Sequence, residues 1–126
     1  RRGTLVVTNN DPALHNVHIK DYKKNKPGKT ITNTAQPPKA TPLSITLKEP
    51  GPFHLECDLH YWMQGWIYVT EAPLATTTNA QGHFEFKDLP PGSYTLQTWH
   101  SEAGISVKNV TIHPGKQTEV EVSIGP

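Results

Sequence analysis

The 126-residue sequence has little that would build long helices, and its charges nearly cancel. Twelve prolines and nine glycines interrupt it, which favours short strands joined by turns. With 12 Lys and Arg against 11 Asp and Glu, the formal charge is +1, so the sequence lacks the basic face that nucleic-acid binding requires. We therefore expect an all-β protein with no nucleic-acid partner.

Long apolar runs are also absent. No stretch approaches the roughly 20 apolar residues that span a bilayer, and the first four residues carry no signal-peptide core. We expect a soluble, mature chain with no transmembrane segment. The single cysteine, Cys57, excludes an internal disulfide, so cysteine pairing does not indicate a redox compartment.

Alternating patterns predict strands in the first half of the chain. The segments "TLVVTNN" and "NVHIKDY" read as strands, and parity places His15 on the inward side with Val17 and Ile19. His18 falls on the opposite, exposed face. The polar stretch 20–42, rich in lysine and proline, predicts a long solvated loop or a docking patch for an acidic partner, with at most a short edge strand at "TITNTA".

Two further strands are expected around a turn at residues 49–52. In "PFHLEC" the residues Phe53, Leu55 and Cys57 face inward, whereas His54 and Glu56 face outward as surface residues. The apolar segment "GWIYV" follows as another strand. The heptapeptide "CDLHYWM", residues 57–63, is therefore predicted to be the loop between two adjacent strands.

After Pro73 the pattern restarts, and we expect a second β module from about residue 72. Turns are predicted at 79–82, 89–92 and 113–116, with alternating strands in "ATTTNA", "GHFEF", "SYTLQTWH", "ISVKNVTI" and "TEVEVSI". Three histidines of this module are expected at the surface: His83, His100 and His113.

The heptapeptide collects the only cysteine and the only methionine around a histidine, with two residues in each gap. A thiolate and imidazoles with a weak thioether form the trigonal site that suits copper, because soft sulfur stabilises Cu(I). Cys57, His60 and Met63 would supply three ligands. The set needs one more histidine, and inward-facing His15 qualifies.

Two alternatives compete with a metal site. Cys57 and His60 could form a nucleophile and its base, as in hydrolytic enzymes, but no glycine-rich helix start follows Cys57 to supply oxyanion-binding amides. Otherwise Cys57 is an inert buried thiol and Met63 fills the core. That explanation accounts for Cys57 and for Met63 separately, but it does not explain why both lie in one heptapeptide with His60.

Together, "LHNVHI" and "CDLHYWMQGWIYV" resemble the ligand signature of the cupredoxins, the small blue copper proteins, in their amicyanin- or plastocyanin-like form. The resemblance implies a Greek-key β-sandwich with one mononuclear Cu(I)/Cu(II) site. It implies that Asn16 ties the two ligand-bearing loops together. The ligands that it implies are His15, Cys57, His60 and Met63.

The cupredoxin resemblance covers residues 1–71 and is partial, because cupredoxins usually carry two more strands before the one that resembles "TLVVTNN". It implies electron transfer and not enzymatic catalysis. His60 would be the electron port, within a docking surface formed with Tyr61 and Trp62; alternatively, the tryptophans cap the sandwich. The implied partner is a c-type cytochrome or a membrane or periplasmic oxidoreductase, in the periplasm or at the cell surface.

Residues 72–126, with "GHFEFKDLPPGSYTLQTWH" and "TEVEV", resemble the carboxypeptidase-regulatory-like or transthyretin-like β-sandwich. Such modules are mostly spacers or interaction surfaces. Two functions besides electron transfer therefore stay open: a structural or interaction module of a larger extracytoplasmic assembly, and copper storage or delivery.

Overall fold

The computed structural model describes residues 3–124, which form eight β-strands and no helix. The chain divides into two compact units, Arg1–Pro73 and Leu74–Pro126, which we call the first and second units. Within residues 3–124 there is no helix long and apolar enough to cross a membrane. The all-β prediction is confirmed.

The first unit contains two antiparallel sheets. Their strands are β1 Gly3–Val7, β2 His15–Lys23, β3 Lys26–Gln36, β4 Leu43–Leu47, β5 Gly51–Glu56 and β6 Gln64–Val69. One sheet pairs β1 with β4, and the other has the order β3-β2-β5-β6.

The core of the first unit lies between these two sheets, as in a β-sandwich. Its central residue, Ile19 of β2, is 0% exposed and faces inward together with Val17, as strand parity predicts. The smaller sheet contributes Ile45 and Leu47 from β4. The same inward parity on β5 buries Phe53, and it positions the residue that follows this strand, Cys57, against the interior.

The long loop expected over residues 20–42 was wrong, whereas the edge strand expected at "TITNTA" is present as part of β3. β2 and β3 form a hairpin in which Lys23 pairs with Lys26, and the two turn residues Lys24 and Asn25 have φ angles of 53° and 60°. Positive φ at both positions is the geometry that matches the twist of two adjacent strands. The threonine-rich part of β3 pairs with β2 despite the lysines, and Pro27 is tolerated because β3 is an edge strand.

In the described part of the second unit, residues 74–124, there is one hairpin, β7 Gly92–His100 paired with β8 Gly104–Ile112. The predicted turns are present at Asn79, whose carbonyl accepts the Gly82 N–H over 2.9 Å, and at His113, whose carbonyl accepts the Lys116 N–H. The segments 75–79, 83–87 and 117–124, expected as strands, form no regular ladder among the described residues. An alternating pattern predicts an extended chain, but a strand also needs a paired neighbour.

We expect Ile19→Ala to lower the free energy of unfolding by about 2–5 kcal/mol, because it leaves a cavity at the centre of the core. Ile31→Ala removes the same atoms from an exposed position on β3 and should change it by no more than about 0.5 kcal/mol. Urea unfolding followed by circular dichroism measures both. Equal effects of the two changes would contradict the central position of Ile19.

Candidate metal centre

The heptapeptide forms the loop between β5 and β6, and its own backbone closes it. The Cys57 N–H donates to the Met63 carbonyl over 3.2 Å, the His60 N–H to the Cys57 carbonyl over 3.3 Å, and the Met63 N–H to the His60 carbonyl over 2.8 Å. Each gap of two residues is therefore a tight turn. The loop holds the three side chains at one end of the sheet.

Asn16, the second residue of β2, joins this loop to the strand that carries His15. Its Oδ1 accepts the Asp58 backbone N–H over 2.7 Å, and its Nδ2 donates to Asp58 Oδ2 over 3.0 Å. It also donates to Asn33 Oδ1 of β3 over 2.9 Å. The structure thus places Asn16 where it restrains both the strand that carries His15 and the loop that carries Cys57 and His60.

Three of the four predicted ligands converge in the structure. Cys57 Sγ lies 3.5 Å from His60 Nδ1 and 3.7 Å from His15 Nδ1, and the two Nδ1 atoms are 3.0 Å apart. A point equidistant from these atoms lies about 2 Å from each, close to typical metal–imidazole distances and slightly short for a thiolate. The triangle has the size of a trigonal metal site. Met63 closes the loop beside it and is 40% exposed.

The imidazole of His15 is held in the orientation that a ligand needs. Its Nε2 lies 2.8 Å from Asp11 Oδ2. The carboxylate is an acceptor only, so Nε2 carries a proton. In the neutral imidazole the lone pair of Nδ1 therefore faces Cys57 and His60, and in the protonated imidazole the Nδ1–H donates to Cys57 Sγ. Asp11 is positioned in turn by its backbone N–H, which donates to Asn9 Oδ1 over 2.9 Å.

Sequence reasoning missed Asp11. It lies four residues before His15, in the segment "NNDP" between the first two predicted strands. An acidic residue next to a candidate histidine ligand is a signal that could have identified it. Its hydrogen bond is also the largest of the causes that raise the pKa of His15, ahead of the hydrogen bond to Cys57.

Opposing influences act on the pKa of Cys57. Burial disfavours the thiolate, and Cys57 is only 5% exposed. Hydrogen bonds from the Asn16 backbone, His15, His60 and the Leu59 backbone outweigh this and lower the pKa to about 6. The thiolate, which is the form that binds metals, therefore predominates at neutral pH.

The loop exposes aromatic side chains around His60. Tyr61 is 82% exposed and Trp62 67% exposed. The ring centroid of Trp62 lies 5.3 Å from that of His60 and 5.3 Å from that of Tyr61. Trp62 therefore forms part of an exposed apolar patch next to His60 and does not cap the interior.

The other histidines fall into two groups. His83, His100 and His113 are exposed, as predicted. His18 and His54 lie on the outward face, but the prediction that they are surface residues was wrong: His54 is 9% exposed and His18 is half-buried. His54 packs against the Trp66 ring at 4.5 Å between centroids, which covers it from solvent.

Comparison with known families addresses the second half of the chain. Residues 67–125 match the family model of the carboxypeptidase regulatory-like domain. This supports the resemblance drawn for residues 72–126, and the match begins inside β6, ahead of the predicted boundary. No cupredoxin family model matches, so the cupredoxin resemblance of residues 1–71 stays a prediction. No curated protein and no solved structure matched the chain.

We expect the thiol of Cys57 in the metal-free protein to ionise with a midpoint near pH 6, compared with about 8.5 for an ordinary cysteine. The ionised group should therefore stabilise the folded state at alkaline pH, and this contribution should decline as the pH falls from about 8.5 to about 6. Thiolate ultraviolet absorbance measures the midpoint.

His60→Ala removes one hydrogen-bond donor and should raise this midpoint, while Cys57→Ser should abolish the transition. A midpoint at the ordinary thiol value in the wild-type protein would show that the hydrogen bonds to Sγ do not form.

Proposed function

We propose that the first unit binds one copper ion through Cys57, His15 and His60, with Met63 as a further, weak ligand, and transfers electrons. The observation that carries this proposal is the triangle of one Sγ and two Nδ1 atoms with sides of 3.0–3.7 Å. One thiolate and two imidazoles form the donor set of blue-copper electron-transfer sites. Copper would supply the one-electron chemistry by alternating between Cu(I) and Cu(II).

The residues around the triangle support a rigid site. Asp11 orients His15, and Asn16 ties the loop to β2, so the positions of the ligands depend little on the ion itself. Held ligands limit the rearrangement that accompanies a change of oxidation state, which is what rapid electron transfer requires. The burial of Cys57 further restricts access of water to the thiolate.

Burial also favours a metal site over a nucleophilic cysteine. Reactive cysteines occupy partially exposed positions, where a substrate can reach the sulfur. Cys57 is 5% exposed, and two imidazole nitrogens flank its Sγ. We therefore propose no enzymatic activity for this group.

The exposed aromatic patch supports a route for electrons. His60 is the ligand adjacent to Tyr61 and Trp62, and exposed aromatic side chains are typical of protein interaction sites. We propose that a redox protein docks here, such as a c-type cytochrome or a membrane or periplasmic oxidoreductase, and exchanges electrons through His60. A periplasmic or cell-surface location fits this role and the carboxypeptidase regulatory-like match.

The same match favours a second candidate function, an interaction module within a larger extracytoplasmic assembly. In that case the copper site would be idle, and replacing Cys57 and His60 would leave assembly unchanged. Copper storage or delivery would be distinguished by rapid loss of Cu(I) to a chelator, in contrast to the tight retention expected of an electron carrier.

Addition of Cu(II) to the purified protein should produce an intense visible band from charge transfer between the Cys57 thiolate and copper. Cys57→Ser should abolish the band, and His113→Gln, which alters an exposed histidine of the second unit, should leave it unchanged. Visible and electron spin resonance spectra provide the measurement. A colourless wild-type protein that binds no copper would end the proposal.

The double change Tyr61→Ser/Trp62→Ser should slow electron exchange with a c-type cytochrome by about tenfold or more, because it removes the central apolar contacts. The visible spectrum should change little, since neither residue is a ligand. Ile105→Ser/Val107→Ser, at exposed positions of β8, is the matched control and should have no effect. Equal rates in all three proteins, measured by stopped flow, would place the docking surface elsewhere.

A further inference from the structure

A second group of potential ligands lies on the outward face of the four-stranded sheet. His18 of β2, Glu56 at the end of β5 and Asp58 in the following loop bring one nitrogen and two carboxylate oxygens within 4.8 Å of one another. His18 Nδ1 is 3.0 Å from Asp58 Oδ1 and 3.4 Å from Glu56 Oε1. None of these residues belongs to the copper site proposed above.

His54, on the far side of Glu56, presents a nitrogen to the same carboxylate. Gln64 Nε2 donates to the Tyr61 carbonyl over 3.1 Å, which leaves Gln64 Oε1 as the acceptor for His54 Nε2 at 3.1 Å. Nε2 therefore carries the proton, and in a neutral His54 the Nδ1 lone pair faces Glu56 Oε2 at 3.8 Å. A lone pair and a carboxylate that face each other favour a cation between or beside them.

His18 has the second contact that is usual for a metal-ligating histidine. Its Nε2 lies 2.9 Å from Thr30 Oγ1, a hydroxyl oxygen that can accept a hydrogen bond from the Nε2–H. When Nε2 donates in this way, Nδ1 is free to bind an ion at the carboxylates. The face thus holds two imidazoles, each anchored through Nε2 and each directing Nδ1 towards Glu56.

The charges of this face also favour a cation. Among residues 3–124, one permanently charged side chain pairs with Glu56 or Asp58: Lys20, whose Nζ lies 2.8 Å from Glu56 Oε1. Asp58 is exposed, so an ion could enter from solvent.

We propose that His18, Glu56 and Asp58, with His54 beside Glu56, form a second site for a divalent transition-metal ion such as Zn²⁺. Mixed imidazole and carboxylate donors suit such ions, whereas the absence of sulfur from the set distinguishes it from the Cys57 site. Lys20 gives up its ion pair with Glu56 when the metal binds. Such partly exposed pairs contribute little to stability, so the exchange costs little.

Zinc titration of the Cys57→Ser/His60→Ala protein isolates this site, because that background lacks the thiolate and one imidazole of the copper site. We expect one zinc per chain by calorimetry, with an X-ray absorption spectrum that shows nitrogen and oxygen neighbours and no sulfur. Glu56→Gln in the same background should weaken zinc binding at least about tenfold. His83→Gln, which alters an exposed histidine of the second unit, should not.

Lys20→Met should have the opposite effect to Glu56→Gln and strengthen zinc binding, because it removes the cation that competes with zinc for Glu56. Failure of the double-variant protein to bind zinc would overturn the proposal, as would equal zinc affinity in the Glu56→Gln and His83→Gln proteins. If Glu56→Gln does not fold, His18→Asn serves in its place with the same expectation. The visible copper band of the wild-type protein tests the first site separately, so failure of one proposal is distinguishable from failure of the other.

Discussion

The hydrogen bond from the Asp58 backbone N–H to Asn16 Oδ1, 2.7 Å long, joins two segments that are 42 residues apart in the chain. One segment carries His15, and the other carries Cys57 and His60. This hydrogen bond holds the backbone of the loop between β5 and β6 against β2, and the Asp58 side chain adds hydrogen bonds from Asn16 and Asn33 to the same link. Because Asn16 also bonds to Asn33 of β3, the restraint extends to the edge of the sheet.

The alternation of a β-strand separates two kinds of chemistry across a single sheet. At the end of β5, Cys57 faces the interior, where burial and hydrogen bonds determine whether the sulfur is ionised. Its neighbours Glu56 and Asp58 face outward, where they meet His18. Adjacent residues thus contribute to a sulfur-containing cluster on one face and an oxygen-rich cluster on the other, because successive side chains of a strand point to opposite sides.

The sequence pattern predicted the structure correctly where it depends on local periodicity. It failed where the structure depends on which strands pair with each other. It predicted the inward positions of Ile19 and Phe53, and the loop at residues 57–63, because these follow from a period of two. It missed the β2–β3 hairpin, because the lysine-rich composition around the turn at Lys24 and Asn25 is typical of a solvated loop. The local pattern does not show that the threonine-rich segment pairs with β2. It also predicted strands in the second unit, such as 83–87, where an extended segment forms no ladder.

By itself, the sequence determined the all-β class and the spacing that places Cys57, His60 and Met63 on one short loop, since both follow from composition and local turns. It also marked His15 as inward-facing. Only the tertiary structure decided that His15 lies within 3.7 Å of Cys57 Sγ, that Asp11 orients its ring, and that His18 and His54 gather around Glu56. These contacts join strands and turns distant in the chain, and strand register, which local pattern does not encode, sets their distances.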